Sequence, residues 1–445
     1  MKLDYGTMLQ DRALWMQGGT DDERNCFTSG GTTALRLITP LLLPAMTKII
    51  FTVPEGVRVR AVLCERRTDG NTGNVNADFS FDLAKTKWRT KNYELYAGNK
   101  ETYVLFVVSY EDGRAFTAED MPVRFYIPQA NVLPAYWVPA LEDARARIEQ
   151  SRREFPNAAE LFYLTDVHWT DNAQHSPTIL NHLSRELNIP YVVFGGDMIV
   201  RYNPDRDCAK REVTGFFGQL DKELFVFSTL GNHDRNYSSG NTNRALRFSE
   251  SESHELYMSG IERFAVTEGD PSHGYFDLPE QKLRMVQFYL SDSMFGMPED
   301  SYVDGALDWV EQKILELDRD WTVILFTHAY SRGMSADGDL VITEKNRQIS
   351  NRLLSIKENA RAELAFWITG HIHVDMLDQV TNGRTTLPLL SVLSDGYKYA
   401  SSPLAARMRV GTATEQAIDC IRIDPTSRTL HFIRIGAGED RSYRY

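Results

Sequence analysis

The sequence predicts an α/β domain of two packed sheets with helices outside, preceded by a small all-β sandwich. Three observations predict it. From Leu161 onward, short apolar runs alternate with helical segments, the pattern of parallel strands covered by helices. The later segments HGYFDLP, LRMVQFYLS and TLPLLSVLS and the hairpin AIDCIRIDPTSRTLHFIRIG add strands, so two sheets are expected to pack together. Between Ala34 and Pro128, short strand-like runs are separated by turn signals at sandwich spacing.

In chain order, residues 1–130 are assigned to the sandwich, 131–158 to a linker and helix, and 159–445 to the α/β domain. The first 30 or so residues are polar and irregular and read as a loosely held arm. The candidate strands are ALRLITP, KIIFTV, VRVRAVLCER, FSFDL, NYELYA, YVLFVVSY and VRFYIP. Between them lie the turn signals Asp69-Gly70, Asn71-Thr72-Gly73 and Glu111-Asp112-Gly113. This part carries no visible chemistry. It is either a packing module or an attachment module that contacts a glycan or a protein, and exposed aromatics such as Trp88, Tyr93 and Tyr96 would be its tools. A Pro-punctuated connector, QANVLPAYWVPA, leads into ALEDARARIEQSRREF, where Leu141, Ala144, Ile148 and Phe155 share one face of a solvated amphipathic helix.

In the α/β domain the helical segments are SPTILNHLSREL, CAKREVTGFFGQLDKEL, ALDWVEQKILELD and EKNRQISNRLLSIKENA. A polar stretch between Arg235 and Gly274 reads as an insertion over the site.

Composition limits the function. Hydrophobic residues make up 42% and charged residues 25%, ordinary for a soluble globular protein. A net charge of −12 argues against a nucleic-acid binder with a basic groove. It leaves room for a phosphorylated substrate, because bound cations can supply positive charge locally. Cys26, Cys64, Cys208 and Cys420 are scattered, form no CxxC pair and read as reduced thiols. The N-terminus has no apolar core of signal-peptide type, and LITPLLLPAM is short and cut by Pro40 and Pro44. A soluble, cytoplasmic protein without a membrane span is the expectation.

Five apolar runs stop on polar clusters. These are Asp166-Val167-His168, Gly195-Gly196-Asp197, Gly231-Asn232-His233-Asp234, His328, and Gly370-His371-Ile372-His373. In open α/β sheets the loops beyond the carboxyl ends of the strands converge on one crevice, so these distant residues can meet. Oxygen donors mixed with imidazole suit Mn, Fe, Zn or Co better than an all-oxygen magnesium cage. Taken singly, His328 could be a core histidine, the aspartates helix caps and the glycines ordinary turns. Five unrelated reasons for five strand ends make that reading fail jointly. His175, His182, His254, His273 and His431 match no motif and read as surface or packing residues, with His175 near enough to the first cluster to line a pocket.

With its DVH, GGD, GNHD, THA and GHIH in this order, the chain from about Leu161 to its end resembles the calcineurin-like metallophosphoesterase superfamily. The resemblance implies two metal ions sharing Asp197, with Asp166, His168 and His373 on the first and Asn232, His328 and His371 on the second. It implies attack by a metal-bridging hydroxide on a phosphoester, with His233 facing the phosphate and Asp234 orienting its imidazole. The chain departs from the protein Ser/Thr phosphatase branch, which has GDxVDRG where this sequence reads GGDMIVRY. Met198 and Ile199 stand where several phosphodiesterase branches carry an acid or Asn. Arg201, Tyr202, Arg235, Asn236 and Tyr237 flank the site as candidate substrate contacts. The expected activity is that of a dinuclear metal-dependent phosphoric ester hydrolase acting on a phosphodiester or a phosphomonoester, the diester favoured, in a small-molecule or polymer substrate. The alternatives are a catalytically silent scaffold and an attachment protein of a larger particle on the same fold.

Overall fold

The computed structural model describes residues 9, 14–30, 32–43, 47–68, 72, 74–91, 93–97, 101–116, 123–126, 133–168, 175–199, 206–236, 246–268, 270, 273–290, 301–329, 333–334, 340–341, 344–396, 408–409 and 412–445. It divides into two compact units, Met1–Gln129 and Ala130–Tyr445.

The first unit is antiparallel throughout. One sheet runs Trp15–Gln17, Leu35–Leu37, Thr102–Tyr110, Val57–Arg66, Phe79–Phe81, with Leu41–Leu43 also paired to Thr102–Tyr110. The other runs Arg124–Tyr126, Lys48–Thr52, Tyr93–Tyr96. Aromatic rings join them. Phe106 of the first sheet lies 5.6 Å from Phe51 and 4.9 Å from Phe125 of the second, which makes a sandwich core.

Two expectations are corrected here. The N-terminal segment is not a loose arm in its described part, because Trp15 and Phe27 are buried in the core and short strands form at Trp15–Gln17, Thr20–Asp21 and Cys26–Phe27. Buried Arg36 pins the segment by donating to the Thr28, Leu37 and Ile38 carbonyls. Nor are Trp88, Tyr93 and Tyr96 exposed. Each is half-buried, with Arg58 stacked 4.5 Å over Trp88, Tyr93 5.5 Å from Phe51, and Lys48 5.4 Å over Tyr96. Their faces are spent on packing and cation–π contacts. The turn signals Asp69-Gly70, Asn71 and Gly73 lie outside the described residues.

The second unit has two six-stranded sheets. The first runs Phe225–Ser228, Tyr191–Phe194, Ala159–Leu164, Ala417–Asp424, Thr429–Gly436, Arg441–Arg444, parallel over its first three strands and antiparallel beyond. The second runs His273–Leu278, Leu283–Phe288, Thr322–Thr327, Glu363–Thr369, Thr386–Ser391, Met376–Thr381, with its four middle strands parallel. These strands are continuous apolar runs because both of their faces are covered. Inner faces meet through Tyr163 and Phe326 (5.8 Å), Phe227 and Phe276 (4.9 Å), and Phe366 and Tyr443 (5.9 Å). Outside, the helices Ser301–Leu315 and Glu344–Asn359 bury Val310, Ile314, Leu353 and Ile356 in one core with Trp367 and Leu389 of the second sheet. The helix Val138–Glu154 buries Leu141, Ala144 and Ile148 as their spacing predicts. Among the described residues no helix is long and apolar enough to cross a membrane.

One buried cation joins the two sheets of the second unit. Arg434, 1% exposed, donates from Nε to Asp419 of the first sheet (2.9 Å) and from Nη2 to both oxygens of Asp375 (2.8 and 3.0 Å), which begins the edge of the second. Arg441 Nη2 also reaches Asp419 Oδ2 (2.7 Å) and Asp375 Oδ1 (3.5 Å), so removing Arg434 leaves two carboxylates sharing one cation that is less buried. Arg434→Met is therefore expected to destabilise the second unit by about 3–5 kcal/mol. Urea denaturation followed by tryptophan fluorescence checks it, and a shift below about 1 kcal/mol would contradict the assignment.

Candidate metal centre

Each cluster follows a strand and turns sharply. Asp166, His168, Asp197, His371 and His373 all have positive φ, between 49° and 73°. This left-handed region is costly for residues with a Cβ and persists only where neighbours over-determine it. The neighbours here are backbone groups of adjacent strand ends. The Asp166 and His168 N–H groups donate to the Gly196 and Asp197 carbonyls (both 2.9 Å), and the Gly370 N–H donates to the His328 carbonyl (3.1 Å). Glycine is required where these loops nearly touch. A Cβ on Gly231 would lie 2.1 Å from Asp197 Oδ1, and one on Gly370 would lie 2.0 Å from Thr165 Oγ1.

The side chains converge in two overlapping groups. In the first, His373 Nε2 lies 3.1 Å from Asp166 Oδ1 and 3.2 Å from His168 Nε2. In the second, His328 Nε2 lies 3.1 Å from Asp197 Oδ2 and 3.1 Å from Asn232 Oδ1, and the His371 ring stands 5.1 Å from the His328 ring. Asp197 Oδ2 also faces His168 Nε2 at 3.9 Å and His233 Nε2 at 3.6 Å. Asp166-His168-His373 and Asp197-His328-His371 each bring three donor atoms within 4.8 Å of one another, as does His168-Asp197-His233. The seven sequence-predicted ligands therefore gather in one place.

The local bonds aim these donors. His328 Nδ1 pairs with the Gly195 carbonyl (2.8 Å) and His168 Nδ1 with the Ile199 carbonyl (3.2 Å). A proton on each Nδ1 leaves Nε2 as the nitrogen directed at the cluster. Asp166 Oδ2 accepts from the His371 N–H (3.0 Å) and the Thr165 hydroxyl (2.8 Å), whereas its Oδ1 is buried and, among the described residues, faces only imidazole nitrogens such as His373 Nε2 (3.1 Å). A buried carboxylate oxygen facing imidazole nitrogens fits a cation.

The electrostatics agree. Burial favours the neutral form of both aspartates, but the imidazoles outweigh it: His373 and His328 hold Asp166 below the usual carboxylate range, and His328 and His233 do so for Asp197. Burial pushes His168 down to about 4 and His371 down to about 3, which keeps them neutral as metal binding requires. Burial also disfavours charge on His328, but Asp197 and Asp166 outweigh it and raise its imidazole to about 10.

Asp234 does something other than orient His233. Its buried carboxylate accepts three backbone N–H groups, from Asp197 (2.8 Å), Met198 (2.8 Å) and Gly231 (2.7 Å), and its carbonyl accepts the Tyr257 hydroxyl (2.9 Å). His233 Nδ1 has no hydrogen-bond partner among the described residues. Arg235 and Asn236 are buried and donate to the Phe248 and Leu246 carbonyls, which ties down the root of the insertion. Arg201, Tyr202 and Tyr237 lie outside the described residues. His175 is wholly buried against Glu415 (2.5 Å), His182 is exposed, His254 pairs with Glu262, His273 stacks on Trp309 and His431 bonds Ser442. Sequence reasoning passed over Thr165, Tyr257 and the turn Ser394-Asp395-Gly396. That turn closes a further strand in the same way as the five recognised clusters, and its position after TLPLLSVL was the available signal.

Residues 161–375 match a model of the calcineurin-like phosphoesterase family. No curated protein matches the chain. Among solved structures, the chain is similar to a dimetal phosphatase from Danio rerio, at 16% identity and TM-score 0.42 over 64% of this chain and 98% of that one. It is also similar to phosphopantetheinyl hydrolase from Mycobacterium tuberculosis, at 14% identity and TM-score 0.29 over 57% and 93%. A third is vacuolar protein sorting 29 from Cryptosporidium parvum, at 10% and 0.27 over 65% and 100%.

Two outcomes are expected. Gly231→Ala must displace Asp197 and should weaken metal binding more than about tenfold, read by metal content after dialysis. In the metal-free protein His328 carries a proton at neutral pH, and a metal ion must displace it. Metal affinity should therefore rise with pH until the imidazole's own range near 10 is reached, with protons released on binding. Calorimetry in buffers of different ionisation enthalpy checks this, and affinity that does not change with pH would contradict it.

Proposed function

Because residues 161–375 are a calcineurin-like phosphoesterase domain, we propose that the protein is a dinuclear metal-dependent phosphoric ester hydrolase, with a phosphodiester favoured over a monoester. The observation that carries the reading is the meeting of two buried carboxylates with the imidazoles of His168, His328, His371 and His373, Asp166 Oδ1 facing imidazole nitrogens alone among the described residues. Asp166, His168 and His373 would hold the first metal, and Asn232, His328 and His371 the second, with Asp197 lying between the two groups. Mn, Fe, Zn and Co all suit this oxygen and imidazole set. Bound there, two cations supply a water nucleophile at neutral pH and neutralise charge on the phosphoryl oxygens.

The chain's own residues do the rest. On this reading His233 acts as a proton donor, although it also lies within a donor group with His168 and Asp197. Its side chain is 20% exposed, and its backbone N–H donates to Asp197 Oδ1 (2.8 Å), so its position is locked to the shared carboxylate. From there Nε2 donates a proton to a phosphoryl or leaving-group oxygen. Asp234 fixes the turn that carries Asn232 and His233 through its three backbone N–H bonds. It is a positioning residue. The insertion after Arg235 and the N-terminal unit support a substrate larger than free phosphate, a phosphorylated small molecule or polymer. On this reading residues 1–130 are accessory, 131–158 connect, and 159–445 catalyse.

The test compares bis-p-nitrophenyl phosphate with p-nitrophenyl phosphate on metal-stripped protein to which Mn, Zn, Fe or Co is restored. Metal-dependent diester turnover is expected, falling about 10²–10⁴-fold in His233→Ala with metal content unchanged. Monoester turnover alone would make it a phosphatase. No turnover with any metal would contradict the enzyme reading.

A further inference from the structure

Beyond the segment that matches the family, the chain returns to the metal centre from behind. The strand Thr386–Ser391 runs on into a turn at Ser394-Asp395-Gly396, which lies against the backbone of the Asp166 loop. Three bonds join them. The Asp395 N–H donates to the Thr165 carbonyl (2.9 Å), the Gly396 N–H to the Asp166 carbonyl (3.0 Å), and the Ser394 hydroxyl to the same Asp166 carbonyl (2.8 Å). Asp166 is one of the residues held at positive φ, so these bonds meet the backbone where it needs support.

The turn is itself held by its one carboxylate. Asp395 is wholly buried. Its Oδ2 accepts the Ser176 hydroxyl (2.5 Å) and its Oδ1 accepts the Ala417 N–H (2.8 Å). Ser176 in turn accepts from Gln416 Nε2 (2.8 Å), and next to that pair His175 Nδ1 meets Glu415 Oε1, which also accepts from the Tyr136 hydroxyl (2.9 Å) and Trp137 Nε1 (3.1 Å). The start of the helix His175–Leu187, the segment before Ala417 and the turn thus form one buried polar network around Asp395. Such a network rigidifies what it touches when its members are satisfied.

We propose that Asp395 is a positioning residue of the metal centre, bracing Asp166 through the Ser394–Gly396 turn and so tuning the first metal position selectively. The inference rests on the dinuclear reading above. The bonds favour the first position because they reach Thr165 and Asp166 directly, whereas Asn232 and His328 of the second group hang from the turns after Phe225–Ser228 and Thr322–Thr327; the third, His371, shares a turn with His373 and meets Asp166 through its backbone N–H (3.0 Å). Partners behind a metal ligand typically change metal affinity by about 10–100-fold when they are altered.

The test is a metal titration of the full-length, metal-stripped protein with Mn or Zn against a chelating indicator, resolving two stepwise constants per chain. His373→Ala and His371→Ala serve as references for loss at the first and second positions. Asp395→Asn keeps the shape but disturbs the bonds to Ser176 and Ala417, and Ser394→Ala removes the hydroxyl's bonds to Asp166 and Gly396 while leaving the Asp395 bonds to Ser176 and Ala417 in place. Both are expected to weaken the constant lost in His373→Ala, the first by about tenfold or more, and to leave the other within about threefold. A thermal melt keeps the proposal testable if Asp395→Asn folds poorly, because Ser394→Ala then decides it alone. Two unchanged constants, or two constants that fall together with the melting temperature, would overturn the inference. A wild-type protein that takes up no metal would overturn the dinuclear reading and this inference with it, an outcome distinct from the other two.

Discussion

Asp197 is a buried carboxylate between two groups of imidazoles, and much of the α/β unit is arranged to keep it there. Its Oδ1 accepts the His233 N–H, its backbone N–H is held by Asp234, and its carbonyl receives the His168 N–H. Its Oδ2 is left to face His328, His168 and His233. An isolated carboxylate so deep in a protein would be neutral, yet the surrounding imidazoles hold it charged. The same logic places Asp166. Two buried anions amid nitrogen donors are stable only with positive charge nearby, whether from protons or from metal ions. A metal ion bound here would take the place of protons.

That arrangement depends on backbone more than on side chains. Five donors sit in left-handed turns, and the glycines beside them let four loops approach within contact distance, Gly231 against Asp197 and Gly370 against Thr165 and Asp166. Each turn is stabilised by a neighbouring strand end, so the parallel order of both sheets is what brings the turns into register. Arg434 carries this one layer outward, linking Asp375, two residues past His373, to Asp419 in the other sheet. Shifting a sheet would therefore shift ligands.

The strand-end clusters were legible because their signal is local: an apolar run, a glycine or a turn, then ligand-type residues. The two-sheet architecture followed from the number and alternation of such runs. Asp234 was misread because its partners are the backbone N–H groups of Asp197, Met198 and Gly231, most of them about thirty-six residues away, and backbone donors leave no mark on a sequence. Trp88, Tyr93 and Tyr96 look like surface aromatics in the sequence, and only the folded sheet shows Arg58, Phe51 and Lys48 covering them. The N-terminal strands were hidden by their length of two or three residues, too short for a period to show.

The most direct test of the account is anomalous diffraction from crystals of the metal-loaded protein. Two peaks are expected about 3.5–4 Å apart with Asp197 between them, one beside Asp166, His168 and His373 and the other beside Asn232, His328 and His371. A single peak, or two peaks that Asp197 does not bridge, would contradict the dinuclear centre on which the rest of the reasoning stands.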